Sequence, residues 1–363
     1  MDPILTIDIG AGTTDILVYF PDTGEQYKAV AVSPIKKMAQ MIQNEKRDLL
    51  ITGTIMGGGA VSNALVRHAQ SYKVYMTVET AQTINDDLKK VREKGITIIS
   101  GKEEELLQGD KKNKHLTFGD LSPSGIRALL SELGLEWKFS SVAGAVQDHG
   151  VCPEGVTALD FRHQVMKQRI EGNPYPEQFL YAYEEIPEYF TRMKATGNLL
   201  ATLPHHKLFM MDTGMAAIVG ASLDPRLQGC THFIIVDIGN SHTLGAVLSA
   251  GAIGGFFEYH TNSVTPQRMK ELLINLGNGN LNHRDIIAEG GHGAYIRSCP
   301  GFDRIEKIVV TGPRRKEIMQ GVRLEYIDGA PLGDNMMTGT AGILESIRRR
   351  EKLNLVYESG IKN

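Results

Sequence analysis

The sequence predicts an α/β protein built from two related halves, and three observations predict it. Residues 4–20, ILTIDIGAGTTDILVYF, run as apolar strand, aspartate, glycine-bearing turn and second apolar strand. The same order recurs in residues 233–249, FIIVDIGNSHTLGAVLS. Elsewhere short apolar runs alternate with helical patterns, as in a parallel or mixed sheet covered by helices. A repeat of this kind implies duplicated halves facing each other across a cleft.

In the first copy Asp8 ends a strand, which puts its carboxylate at the strand tip beside the turn. Gly10 and Gly12 let the backbone bend tightly and bring amide N–H groups close to an anion. Thr13 and Thr14 add hydroxyl donors. A carboxylate for hydrated Mg²⁺ beside donors for phosphate oxygens makes a reasonable nucleotide-phosphate site. Two other phosphate motifs are excluded. A Walker loop ends in Gly-Lys-Ser/Thr, and this turn has no lysine; a dinucleotide fingerprint opens a helix, whereas residues 16–20 are β-branched and apolar. Taken alone, the unit is equally well a tight hairpin. The second copy changes the balance, because aligning Asp8 with Asp237 also aligns Gly10 with Gly239 and Thr14 with Thr243. Asn240 and Ser241 fill the second turn, so each turn would hold one side of a polyphosphate.

The chain of 363 residues has room for two domains with proper cores, and its net charge of −3 predicts no nucleic-acid or membrane field. Arg348, Arg349 and Arg350 read as a cationic helix C-terminus. Cys152, Cys230 and Cys299 lie far apart and form no C-x-x-C group, which speaks against an iron–sulfur cluster and fits a reducing compartment. The first strand begins at once, leaving no room for a signal peptide, and no apolar run reaches membrane-spanning length. The expected location is the cytoplasm.

In chain order, residues 27–32 read as a third strand, 34–44 as a helix and 48–52 as a strand. The GTIMGGG run at 53–59 permits close backbone approach, to a ligand or to another strand. Residues 73–78 and 96–100 read as strands with a helix over 80–92 between them. Ser122 or Ser124 caps a helix over 126–133. Residues 142–150, VAGAVQDHG, cluster Gln147, Asp148 and His149 where one substrate hydroxyl can be reached. A strand is predicted over 156–161 and a helix over 177–196, interrupted by Pro187. Residues 208–221 repeat the strand–Asp–x–Gly theme at Asp212 and Gly214, in a turn poor in donors, and 223–229 read as a hinge. Glu258 and His260 share one strand face, where they either meet one ligand or form a buried hydrogen-bonded pair. His292, inside a glycine run, reads as part of a helix C-cap and not as a metal ligand. A strand over 307–310 leads into Thr311-Gly-Pro-Arg-Arg315, and a closing helix covers 333–348.

These motifs resemble those of the superfamily of actin, sugar kinases and heat-shock chaperone ATPases. DIGAGTTD (residues 8–15) is similar to its first phosphate motif and DIGNSHT (237–243) to its second. Together with GTIMGGG, AVQDHG, MDTGMAAIVGA and EYHT, they are similar to a prokaryotic family loosely labelled pyruvate formate-lyase activating enzyme-like, a label implying radical chemistry that the cysteines do not support. The resemblance implies two actin-like (ribonuclease H-like) domains around a nucleotide cleft: residues 1–222, with an insertion over 100–205, and residues 230–363. It implies ATP and Mg²⁺ as cofactors, with Asp8 and Asp237 positioning the metal and the attacking group. Gly10, Gly12, Thr13, Thr14, Gly239, Asn240, Ser241 and Thr243 would bind phosphates. Asp148 matches the place of the base in sugar kinases. Residues 311–315 resemble the adenosine motif, giving Gly312 and Arg314 as base contacts, although Pro313 replaces a glycine and leaves adenine open. The implied activity is an ATP-dependent phosphotransferase or ATPase coupled to domain closure. The alternative is a nucleotide-sensing protein, or an activator of a partner enzyme, without metabolite phosphorylation. The expected partner is a small-molecule substrate or another protein, with no nucleic acid and no membrane.

Overall fold

The apolar runs on either side of the first turn form β1 (Ile4–Ile9) and β2 (Thr13–Tyr19), an antiparallel hairpin in which Asp8 stands opposite Asp15. The computed structural model describes residues 1–135 and 138–355. β3 (Gln26–Val32) pairs with the far side of β2. The chain then leaves this sheet to build a separate parallel one from β4 (Asp48–Gly53), β5 (Val74–Thr77), β6 (Ile96–Ile99) and β7 (Asn113–Phe118), in the order β6-β5-β4-β7. That sheet has its own core, with Ile51, Leu65, Val74 and Phe118 among its members. β8 (Phe139–Val146) returns to lie parallel to β1, followed by β9 (Leu180–Ala182) and β10 (His205–Asp212), giving β3-β2-β1-β8-β10-β9.

The second half repeats the plan. β11 (His232–Ile238), β12 (His242–Ser249) and β13 (Ala252–His260) form an antiparallel meander. β15 (Lys307–Thr311) then lies parallel to β11, with β16 (Ile327–Asp328) beyond it and β14 (Gly293–Ile296) on the opposite edge. The duplication extends to single hydrogen bonds. Gly10 N–H donates to Thr13 O at 3.0 Å, and Gly239 N–H donates to His242 O at 2.9 Å. Asp8 faces Asp15 across its hairpin just as Asp237 faces Leu244. The expected fold class is therefore the observed one, an α/β protein with two halves that each bear a mixed sheet.

One apolar core joins the halves, running from Ile4 and Leu17 to Ile235 and Val309 through the helices Thr213–Ala221 and Thr338–Glu351. These helices pack backbone to backbone on small residues. A Cβ added at Gly220 would lie 1.8 Å from Thr338 O, and one at Gly342 would lie 1.8 Å from Ala216 O. Main chain cannot yield as a side-chain tip would, so Gly220→Ala must push the helices apart. We expect it to cost at least about 1–3 kcal/mol, read as a lowered melting temperature, with Gly172→Ala as the control, a helical position with no neighbour within 4 Å and no positive φ.

Several expectations are corrected. The extra unit spans β4 to β7, earlier in the chain than 100–205, because β8 and β10 belong to the first mixed sheet. Residues 156–161 are not a strand. Thr157 caps the helix Ala158–Gly172 by accepting from Asp160 N, and Arg162, Met166 and Ile170 make its buried face at helical spacing. The helix expected over 80–92 is two short pieces, Val78–Ala81 and Leu88–Arg92. Asp212 does not turn a hairpin; it caps a helix, accepting from Met215 N at 3.0 Å. In the segment expected to hinge, Asp224 accepts from Arg226 and from Ala330 N. Among the described residues, no helix is long and apolar enough to cross a membrane.

Candidate functional site

A cleft of about 820 Å³ opens between the two mixed sheets. Both hairpin turns line it, the helix starts at Thr213 and Thr338 form its floor, and Gly57, Gly58 and Gly59 of the GTIMGGG run face it from the third sheet. The turns meet across it: a Cβ at Gly12 would fall 2.2 Å from Asn240 Nδ2. Gly10, Gly12, Thr13, Gly239, Asn240 and Ser241 line the cleft as a group.

Three carboxylates converge on these turns. Asp8 accepts a hydrogen bond from Thr213 Oγ1 at 2.6 Å, and a Cβ at Gly339 would come 1.9 Å from Asp8 Oδ2, so only glycine fits beside it. Asp237 is enclosed by Gly312, whose φ of +90° and separation of 2.4 Å from a virtual Cβ to Ile238 O also demand glycine. Asp15 completes the set. Burial pushes the Asp8 carboxyl up to about 6, with the Thr213 hydrogen bond opposing it. Burial, then the charge of Asp8, pushes Asp237 up to about 7 and Asp15 up to about 8. Among the described residues none of the three has an ion-pair partner, and Asp15 Oδ1 and Thr14 Oγ1 are buried without a hydrogen bond. This is an electrostatic deficit that a divalent cation fits. The aspartate oxygens do not form a ready-made ligand shell, so they suit an ion that keeps its waters, as Mg²⁺ does.

Three expected site residues sit elsewhere, and a fourth borders the cleft with its carboxylate engaged. Thr14 is buried and away from the cleft because alternate strand residues face opposite sides, which leaves Thr13 and Asp15 facing it. Thr243 is buried likewise, its hydroxyl 3.0 Å from Thr261 Oγ1, which donates in turn to Gly239 O at 2.9 Å and so fixes the shape of the second turn. Arg314 is held by Glu317 and Asn262 on the surface, although its neighbours Gly312 and Pro313 line the cleft. Asp148 borders the cleft, yet both its oxygens accept backbone amides, from Gly150 and Met193, each at 2.9 Å.

Two constellations escaped the sequence reading. Arg162, buried, donates from Nε to Glu258 Oε2 at 3.0 Å and from an Nη to Asp212 Oδ2 at 2.8 Å and to Asp148 O at 3.2 Å. It ties β13 of the second half to the first, and Gln147 donates to the other Glu258 oxygen. Burial works against the Glu258 charge, but Arg162 and His292 beside it hold the carboxyl well below the usual range. Next to this lie His149, His242 and His292, whose nitrogens come within 4.8 Å of one another. Burial pushes His149 and His242 down to about 3, so both rings are neutral near pH 7. Each of these histidines lies in a motif already singled out for its glycines; the missing signal was that three such loops share one end of the cleft.

Two mixed sheets of matched order, joined by a helix pair and opened by facing acidic turns, thus share one cleft. The chain belongs to the family described as "Putative pyruvate format-lyase activating enzyme (DUF1786)", whose model matches residues 56–317. No curated protein sequence matches it. Among solved structures it is similar to the Lmo2764 protein of Listeria monocytogenes, described as "a putative N-acetylmannosamine kinase", at 11% identity over 96% of this chain and 99% of that one, with a TM-score of 0.37. MreB 5 of Spiroplasma citri bound to AMPPNP shares 12% identity over 98% of each chain, with a TM-score of 0.37. The ethanolamine utilization protein EutJ of Carboxydothermus hydrogenoformans shares 12% identity over 93% of this chain and 88% of that one, with a TM-score of 0.35.

Proposed function

We propose that this protein binds a Mg²⁺–nucleoside triphosphate in the cleft and transfers its terminal phosphoryl group to water, acting as an ATPase. One observation carries the reading: two turns of identical hydrogen bonding meet across a single cleft, and three carboxylates without cationic partners stand beside them. Asp8 and Asp237 would hold the hydrated cation with Asp15 behind them, and the turn amides with Thr13 and Ser241 would take phosphate oxygens. Mg²⁺ would supply neutralisation of charge on those oxygens. The protein's part is positioning, with little covalent chemistry. Water is favoured over a metabolite hydroxyl because Asp148, the expected base, is engaged at both oxygens by main-chain amides. The cytoplasm, where ATP is held, is the matching location.

The family description names an activating enzyme of radical type, whose cluster needs three gathered thiolates. Cys152, Cys230 and Cys299 are free and form no such group among the described residues, so the donor set of this chain does not fit that cofactor.

The test is calorimetric titration with Mg²⁺–ATP and Mg²⁺–GTP on wild type, Asp8→Ala and Asp237→Asn, followed by phosphate release with and without candidate hydroxyl acceptors. Each variant is expected to lose at least about tenfold in affinity, roughly 1.4 kcal/mol, with folding checked by circular dichroism. Unchanged binding in both variants removes the turns from the site. Release that depends on one metabolite replaces the ATPase with a kinase.

A further inference from the structure

The geometry points to a second, distinct metal centre at the end of the cleft, in which His149, His242 and His292 bind one divalent transition-metal ion across the two halves of the molecule. The three rings come from separate segments. His149 follows β8 in the first half, His242 opens β12 in the second, and His292 precedes β14. Ring centroids lie 4.8 Å apart for His242 and His292 and 6.0 Å from His149 to each. Among the described residues no Cys, Asp or Glu joins the group.

Two further observations say that the group is meant for a ligand. His292 is 4% exposed and His242 is mostly buried, yet His242 Nε2 and His292 Nδ1 have no hydrogen-bond partner. A buried polar atom left unpaired is destabilising, so His242 Nε2 calls for a ligand, while His292 Nδ1 faces a carboxylate. Behind them stands a supporting carboxylate. Glu258 Oε1 lies 3.7 Å from His292 Nδ1, the side from which a carboxylate orients a ligating imidazole, which leaves His292 Nε2, here 3.0 Å from His260 Nε2, to meet the ion. Glu258 is itself fixed by Arg162 and Gln147.

An all-imidazole set selects zinc, copper, nickel or ferrous iron over Mg²⁺ and Ca²⁺, which take oxygen. Three protein ligands are the mark of an open site, with a position left for water or substrate. His149 and His242 both line the cleft, so that position faces the same space as the turns. Ligands of one tetrahedral zinc lie about 3.4 Å apart, whereas here the nitrogens spread to 4.8 Å. Because His149 and the other two belong to opposite halves, the ion would draw the halves together as it binds.

The test uses the untagged full chain, stripped with chelator and free of nucleotide, so it reads independently of the phosphate site. Zn²⁺ and Mg²⁺ are titrated by calorimetry, and Co²⁺ is added as a probe whose visible absorption reports nitrogen ligands in tetrahedral geometry. We expect one Zn²⁺ per chain, no competition by Mg²⁺, and a Co²⁺ spectrum that is lost in His149→Gln and in His242→Gln. Glu258→Gln should weaken Zn²⁺ about 10–100-fold, and His205→Gln, at a separate surface site, should change nothing. Circular dichroism of each variant confirms folding; should one not fold, the remaining histidine variant decides. Wild type without stoichiometric Zn²⁺, or a Co²⁺ spectrum that persists in a folded His149→Gln, overturns the proposal. So does loss of binding in His205→Gln, which would place the ion on the surface.

Discussion

Arg162→Met is expected to lower stability by about 3–5 kcal/mol, the cost of leaving buried charges without their partner. The guanidinium is 5% exposed and faces two carboxylates that are hardly more so, Asp212 and Glu258. Methionine fills much of the volume but leaves both acids buried with no cation. Urea unfolding measures the loss. The double variant Arg162→Met/Glu258→Gln should recover part of it, because one of the two stranded charges is gone, and the shortfall from additivity gives the coupling. The pH dependence carries a second signature. In wild type the Glu258 carboxyl is held well below its usual range, so its contribution is present above the unfolded value and is lost as pH falls through the folded one. Without Arg162 the burial that raises this carboxyl is opposed only by His292 and His242, so the acid-side loss of stability should shrink in the variant. A variant as stable as wild type, with an unchanged pH profile, would mean that the bridge between the halves contributes nothing.

What the sequence revealed and what it hid follow from how local each signal was. The two hairpins were legible because strand, aspartate and glycine lie within a few residues, and their register is set by the turn itself. The alternation of side chains was legible too, yet its consequence was missed. Counting Thr14 and Thr243 as phosphate donors ignored that their neighbours Thr13 and His242 take the cleft side. The boundary of the extra unit was hidden because β8 and β10 look like any other buried strands; only pairing with β1 assigns them to the first sheet. Residues 156–161 were misread because four apolar residues in six outweighed the Thr157–Asp160 cap, while the true period became visible only over Arg162, Met166 and Ile170. Arg162, Glu258 and the histidines could not be joined on paper, since their partners lie 14 to 111 positions away in the chain. Asp15 was not counted among the site residues, although it faces Asp8 and shares its cleft.

Asp15 is also where the opposing demands of folding and binding are most exposed. In chelator at pH 8, Asp15→Asn should melt several degrees higher than wild type, a stabilisation on the order of 1–3 kcal/mol. Burial and the charge of Asp8 push the Asp15 carboxyl up to about 8, while Asp237 stands near 7 and Asp8 near 6. Unfolded, all three titrate near 3.8, so between about pH 4 and pH 8 the folded chain holds the extra protons. Stability of the metal-free protein should therefore fall as pH rises through that window. Asparagine removes one charge from the cluster without changing its shape, which flattens the slope and raises the melting temperature. Mg²⁺ should flatten the wild-type slope in the same way by neutralising the cluster, and Mg²⁺ with nucleotide should then stabilise wild type more than the variant, since binding to the native state alone adds to its stability. Melting curves across pH, with chelator, Mg²⁺ or Mg²⁺–ATP, separate these effects. If the chelated wild type keeps one melting temperature from pH 5 to pH 8, the three acids are not the strained cluster described here. If Asp15→Asn gains as much from Mg²⁺–ATP as wild type does, Asp15 lies outside the cation's reach, and its burial beside Asp8 serves the fold alone.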